Sequence, residues 1–257
     1  MVRETASRGS RRMYYEFRFY AVAPGRLPDE MALVRSVAVD GAPDGAAHSL
    51  WDRYGVPRPV GSWITLTGRN RPGFLYVVPW DSLDQRDAHL PRFWTDPLWS
   101  ARRAELTGGH TLVNDIETTI YTALPEWAAL RDPAPAAPVP GVHELRVYDL
   151  DTGTQPEAQR VLGAVDLPAA MSLGARVLGL FGMVLGADRP RLACLLAWPD
   201  IRTQMQAAEA LDRHPDVVAQ RAAEIAARGG VIYDRMDQYL LQPMAWNMPH
   251  TNLGATT

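Results

Sequence analysis

Tyr15-Glu16-Phe17-Arg18-Phe19-Tyr20 returns 128 residues later as His143-Glu144-Leu145-Arg146-Val147-Tyr148. The shared skeleton is ring, Glu, apolar, Arg, apolar, Tyr. Alternate residues of a strand face the same way. Glu16, Arg18 and Tyr20 therefore share one face, and Tyr15, Phe17 and Phe19 the other. A strand that occurs twice implies a unit that occurs twice.

The rest of the repeat supports this. Shifting Gly61–Pro125 by 118 lays it on Gly179–Pro243 without a gap, with 12 of 65 positions identical, among them Trp80/Trp198 and Tyr121/Tyr239. Both copies carry Gly-x-x-Arg-Pro, at Gly68–Pro72 and Gly186–Pro190, between runs that read as the two strands of a hairpin. In the first copy, Pro28 opens a helix in which Met31, Val34, Val37 and Ala38 recur at helical spacing. Gly41 to Gly45 is a loop, and Leu50 to Tyr54 a short helical segment with Gly55 as C-cap. Ser82 with Gln85 fits a capping box. Pro91 is expected to interrupt that helix and Pro97 to restart it. Val113 to Leu124 closes the unit as a strand.

The order strand, helix, two strands, helix, strand predicts an α+β chain of two tandem ferredoxin-like (βαββαβ) domains. Each such sheet has one bare face. Two copies in one chain are expected to pair those faces, forming a pseudo-twofold dimeric α/β barrel. The expected boundaries are a disordered leader over 1–12, a first domain over 13–130, and a Pro/Ala linker over 131–140. A second, degenerate domain over 141–245 and a flexible tail over 246–257 follow.

At this point the first copy resembles the NIPSNAP family of the dimeric α/β-barrel superfamily. The resemblance rests on Tyr15–Tyr20 with Pro24-Gly25, on Gly61-Ser62-Trp63, on Val77-Val78-Pro79-Trp80-Asp81-Ser82-Leu83-Asp84-Gln85-Arg86, and on Asp96-Pro97-Leu98-Trp99. It covers about Met13 to Trp127. About Val142 to Pro243 matches more weakly, keeping Trp198-Pro199-Asp200 but placing Val217 where the first copy has Trp99. The resemblance implies the barrel fold. For activity it implies a range: cofactor-free monooxygenases, polyketide cyclases, haem-binding enzymes and proteins of no known activity.

Composition removes several classes. All 26 basic residues are Arg, so lysine Schiff-base chemistry and a P-loop lysine are absent. A net charge of -3 leaves no nucleic-acid footprint, and no apolar run is long enough to span a membrane. The single cysteine, Cys194, forbids an intrachain disulfide. These point to a cytoplasmic protein.

Glu16 and Arg18 read either as a carboxylate base beside a cation or as a structural ion pair between the halves. Their recurrence as Glu144 and Arg146 favours the structural pair. His89 follows Arg86 by three on one helix side and is the preferred acid–base residue, with His110 after Gly108-Gly109 the second. No spacing of His, Cys or acids suggests a metal. The copies differ most in their aromatic equipment. Trp63, Tyr76, Trp94, Trp99, Arg86 and His89 become Phe181, Cys194, Asp212, Val217, Gln204 and Ala207. Trp63, Tyr76, Trp94, Trp99 and Tyr20 are therefore the expected substrate-binding residues in the first half. The small residues of the second half offer room for a ligand there instead.

The expected function is a cofactor-independent acid–base enzyme of bacterial secondary metabolism. It would cyclise, isomerise, eliminate or oxygenate a hydrophobic or aromatic small molecule. His89, Arg86, Glu16, Arg18 and His110 are the expected catalytic groups. A non-catalytic binding or scaffold protein and a haem-binding enzyme are the alternatives. The pseudo-dimer within one chain removes the usual need for a homodimer without forbidding one.

Overall fold

The computed structural model describes residues 13–38, 49–69, 71–124 and 139–244. The expected leader, the 41–45 loop, the tail and all but the last two residues of the expected linker lie outside these. The first half runs β1 (Tyr14–Val22), α1 (Leu27–Ala38), α2 (Leu50–Tyr54), β2 (Gly61–Thr67), β3 (Gly73–Trp80), α3 (Leu83–Trp94), α4 (Pro97–Thr107) and β4 (Val113–Ala123). The second begins with β5 (Val142–Asp149), then α5 (Gln155–Val161), a π-helical stretch (Leu162–Asp166) and α6 (Leu167–Ser172). It continues with β6 (Arg176–Leu185), β7 (Arg191–Trp198), α7 (Ile201–Leu211), α8 (Pro215–Arg228) and β8 (Arg235–Pro243).

The local signals act largely as their chemistry requires. Ser82 accepts from Gln85 N at the start of α3. Asp96 accepts from Leu98 N and Trp99 N at the start of α4, just before Pro97. Pro91 does not break its helix: α3 runs through it to Trp94. A proline ring clashes most with the turn before it, and α3 tolerates this one only a turn from its end.

The strands close into one antiparallel barrel in the order β1-β3-β2-β8-β5-β7-β6-β4. The first four strands hold the order β4-β1-β3-β2, and the last four the matching order β8-β5-β7-β6. The halves join at two seams, β2 with β8 and β4 with β6. Closure leaves no sheet edge for another chain to extend.

An eight-stranded barrel is just wide enough for side chains to fill. Here aromatic rings fill it. Phe17 meets Tyr121 and Phe181 edge-on at centroid distances of 4.9 and 5.2 Å, and Tyr15 meets Phe181 at 5.3 Å. The space at the barrel end, beside Phe19 and Tyr239, is about 30 Å³, room for a water molecule. The barrel therefore offers no binding site. Trp63, expected in the ligand site, is fully buried in this barrel core.

The duplicated hairpin glycines serve the seams. Gly68 and Gly186 have φ of 121° and 124°. A Cβ at Gly186 would lie 2.5 Å from Thr118 O, across the seam from β6 to β4. Backbone cannot move aside as a side chain can. We predict that Gly186→Ala lowers stability by at least ~2 kcal/mol in urea unfolding. Gly230→Ala, with nothing within 4 Å of its Cβ and no positive φ, should change it by less than ~0.5 kcal/mol.

Candidate functional site

Because the barrel is filled, open space lies only between its outer wall and the helices. Glu16, Arg18 and Tyr20 face that side. This corrects the expectation that the charges line the seam between the halves: on β1 it is Tyr15 and Phe17 that enter the barrel core. Glu16 is fully buried and meets four donor groups. Arg18 Nη1 donates to Oε1 at 2.9 Å and Trp80 Nε1 to Oε2 at 2.9 Å. Arg86 reaches across from α3, with Nε to Oε2 at 2.8 Å and Nη2 to Oε1 at 3.1 Å. Burial alone would raise the Glu16 carboxyl. The Arg86 and Arg18 guanidiniums outweigh it and hold the group below its ordinary range.

Above this network lies a cavity of about 780 Å³ in the first half. Its wall on the sheet is Arg18, Tyr20 and Tyr76. Trp51, Phe93 and Trp99 enclose it from the helices, and Glu30 with Leu33, Val34 and Val37 comes from α1. Trp94, 43% exposed, stands with Arg103 and His110 at its solvent side. The aromatic wall is continuous: Trp51 lies 5.6 Å from Tyr76 and 6.1 Å from Phe93, and Phe93 lies 5.1 Å from Trp99. The Arg18 guanidinium is 5.3 Å from the Trp94 ring centre.

Three features of the cavity carry chemistry. First, Arg18 Nε donates to Tyr20 Oη at 3.1 Å, and the Tyr20 and Tyr76 hydroxyls bond each other at 2.8 Å. Arg18 Nη2 is left without a hydrogen-bond partner among the described residues. Second, the indole N–H of Trp51 is buried and has no hydrogen-bond partner among the described residues. Third, Glu30 is 3% exposed, and its carboxyl has no hydrogen-bond or ion-pair partner among the described residues. Burial raises it to about 7, against the weaker pull of Arg103. A carboxyl that titrates near neutrality is suited to taking and returning a proton.

The structure thus gathers Arg18, Tyr20, Tyr76, Trp94, Trp99 and His110 around one cavity. It keeps four expected site residues out of it. Arg86 and Glu16 lie beneath the cavity as its support. His89 points to α2, its Nδ1 2.5 Å from Tyr54 O, packed against Gly55. Gly55 caps α2 with φ of 67°, and a Cβ there would strike the imidazole at 2.7 Å. Trp63 donates through Nε1 to His143 Nδ1 at 2.8 Å, while His143 Nε2 meets Val139 O at 3.0 Å. An Nδ1 that accepts and an Nε2 that donates require a neutral imidazole with its proton on Nε2. It ties β2 to β5 and leaves nothing for chemistry.

Glu30 and Trp51 were not among the expected site residues. Glu30 had a signal: it occupies position i in the i, i+3, i+4, i+7 stripe completed by Leu33, Val34 and Val37. An acid on an apolar stripe is either neutral or functional.

The second half is closed where the first is open. The space beside Asp166 and Val217 is about 10 Å³, room for no more than a water molecule. Cys194, in place of Tyr76, is fully buried, and burial pushes its thiol up to about 12. An acid raised by desolvation lies near an arginine in both halves, buried Glu30 near Arg103 and half-buried Asp166 near Arg221. The first pair borders a cavity of about 780 Å³, the second a space of about 10 Å³. Among the described residues, no group of three or more His, Cys, Asp or Glu could hold a metal ion, and no helix is long and apolar enough to cross a membrane.

Residues 15–126 match the NIPSNAP family model. The first half is similar to NIPSNAP domains. Solved structures resemble the whole chain in fold. A Fusobacterium nucleatum protein provisionally named a monooxygenase superposes with a TM-score of 0.55 at 6% identity, over 90% of this chain and 92% of its own. An anthrone oxidase-like protein gives 0.53 at 15% identity, over 94% and 96%. A NIPSNAP family protein of unknown function from Agrobacterium tumefaciens aligns with 44% of this chain and 88% of its own, at 20% identity and a TM-score of 0.35. None of the curated proteins compared with the chain matches it. The cavity therefore lies within the residues that match the NIPSNAP family model, on the outside of the closed eight-stranded barrel.

Protonation of Glu30 should be visible in stability. The folded pKa lies above the ordinary 4.5, so the folded state holds the proton more tightly. Its stability is greatest below about pH 4.5 and is lost as pH rises through about 7. At ~1.4 kcal/mol per pH unit this amounts to about 3 kcal/mol. Glu30→Gln mimics the protonated form. We expect its stability relative to wild type to grow by about 3 kcal/mol between pH 4.5 and pH 8 in denaturant titrations. A pH-independent difference would show that Glu30 is ionised in the folded protein.

Proposed function

We propose that the chain is a small-molecule oxidase that oxygenates an activated aromatic carbon acid by acid–base chemistry, without a cofactor. One observation carries the reading: a buried carboxyl raised to about 7 shares an aromatic-walled cavity with an arginine and an indole N–H that both have donors to spare. The names of the two proteins similar over the whole chain, a monooxygenase and an anthrone oxidase-like protein, support the choice of reaction class. In the same reading, each half is a ferredoxin-like unit, and only the first is equipped.

The substrate ring stacks among Trp51, Tyr76, Phe93 and Trp99. Glu30 carboxylate takes the acidic C–H proton. The bonding pair moves onto the neighbouring oxygen, where Arg18 Nη2 and Trp51 Nε1–H stabilise the enolate. The enolate reduces dioxygen and forms a carbon–oxygen bond, and the peroxide takes the proton from Glu30. Loss of water then leaves a carbonyl. The balance is R₂CH₂ + O₂ → R₂C=O + H₂O, with dioxygen as the only oxidant. His89 has no part in this scheme, and Glu16 acts only by holding Arg18.

The test uses anthrone, whose product is anthraquinone. The wild type should consume one dioxygen per anthraquinone formed. Glu30→Gln should lower kcat by at least about 10²-fold. Equal turnover by Glu30→Gln, or neither dioxygen uptake nor anaerobic C–H exchange above the uncatalysed rate, would sink this reading.

A further inference from the structure

The two halves hold the same three residues, Glu, Arg and Trp, in two arrangements. In the second half, Trp198 Nε1 donates to Glu144 Oε2 at 2.7 Å, as Trp80 does to Glu16. There Arg146 grips Glu144 with two donors, Nε to Oε1 at 2.6 Å and Nη2 to Oε2 at 3.2 Å. Gln204 stands where the first half has Arg86, and the space beside Asp166 and Val217 is only about 10 Å³. In the first half Arg86 supplies the two-donor grip on Glu16. Arg18 retains one contact with Glu16, turns Nε to Tyr20, and lines the cavity. A two-donor guanidinium–carboxylate pair is the stronger one, so Arg86 displaces Arg18 from it.

We propose that Arg86 makes the first-half cavity an anion site, which takes aromatic ligands bearing a carboxylate, phenolate or enolate oxygen on Arg18 and Trp51. The inference rests on the cavity of the proposed function but not on its chemistry. Two cations share one buried carboxylate, Glu16, and the second cation has no counterpart in the other half. Asp87 also pairs with Arg86, through Nη1 at 2.9 Å, but its side chain is 72% exposed and water screens it. The other charged groups around the cavity are Arg103, on its solvent side, and Glu30, which opposes an anion only when ionised. A group that remains ionised in a water-poor site favours a ligand that can neutralise it. Arg86 touches no ligand in this arrangement. It is a positioning residue.

The test compares 2-naphthoate with 2-naphthamide, which share a shape and differ in charge, by calorimetric titration at pH 6, where Glu30 is mostly protonated. The wild type should bind the carboxylate at least about tenfold more tightly than the amide. Arg86→Gln, which copies the second half, should bring that preference below about threefold and leave amide affinity within about twofold. Arg86→Lys keeps the charge without the two-donor grip and should keep part of the preference. If it misfolds no more than the wild type yet loses the preference as fully as Arg86→Gln, the charge is not the cause and the proposal falls. A preference that survives Arg86→Gln also overturns it. No binding of either compound at millimolar concentration would overturn both this site and the oxidase reading. A charge preference that depends on Arg86, in a protein that does not oxidise anthrone, would uphold this inference and remove the oxidase reading alone.

Discussion

Closure of the sheet decides where everything else can go. Eight strands joined through β2–β8 and β4–β6 enclose a space that aromatic side chains fill. Each strand then has one face in that core and one toward the helices. The charged face of β1 must lie on the helix side, where a shallow layer of helices shields it from water. A buried ion network is stable there only with complete hydrogen bonding, because each unpaired charge in a dry site costs several kcal/mol. Trp80, Arg18 and Arg86 meet that condition for Glu16, as Trp198, Arg146 and Gln238 do for Glu144.

Given that shared frame, the halves diverge by what fills the layer between sheet and helices. In the second half the π-helical stretch between α5 and α6, with Val161 and Asp166, fits closely against α8. In the first, α1 and α2 stand off the sheet on Trp51, Phe93 and Trp99, whose rings hold the helices apart from the wall. One half then supplies rigidity and the other a cavity. Duplication permits this: a closed copy keeps the barrel intact while the open copy bears an unpartnered indole N–H and a raised carboxyl, both of which cost stability.

The strand faces, the hairpins, most caps and the equivalence of the halves were legible because they depend on neighbours in the chain. Period-2 alternation, Ser82 with Gln85, and Gly68 with Gly186 are local chemistry. The aromatic equipment of the first half was legible by comparing the copies. Four residues of the expected site were misplaced for one reason. Arg86, His89, Glu16 and Trp63 sit on regular elements, and periodicity says which residues share a side but not what that side meets. His89 is turned to α2 because Gly55 leaves it space there. Trp63 enters the barrel because β2 pairs with β8.

The sequence alone determined the α+β class, the strand pattern that recurs as β1 and β5, and the half that carries the aromatic residues. Only the tertiary structure decided that the charges of β1 face the helices, that Arg86 joins Arg18 on Glu16, and that burial raises the Glu30 carboxyl to about 7 beside a cavity and an indole N–H without a partner among the described residues. The physical reason is that burial and pairing belong to the space between elements. A carboxyl on the first turn of a helix would ordinarily stay ionised; the packing of α4 and the sheet around Glu30 removes the water that would keep it so.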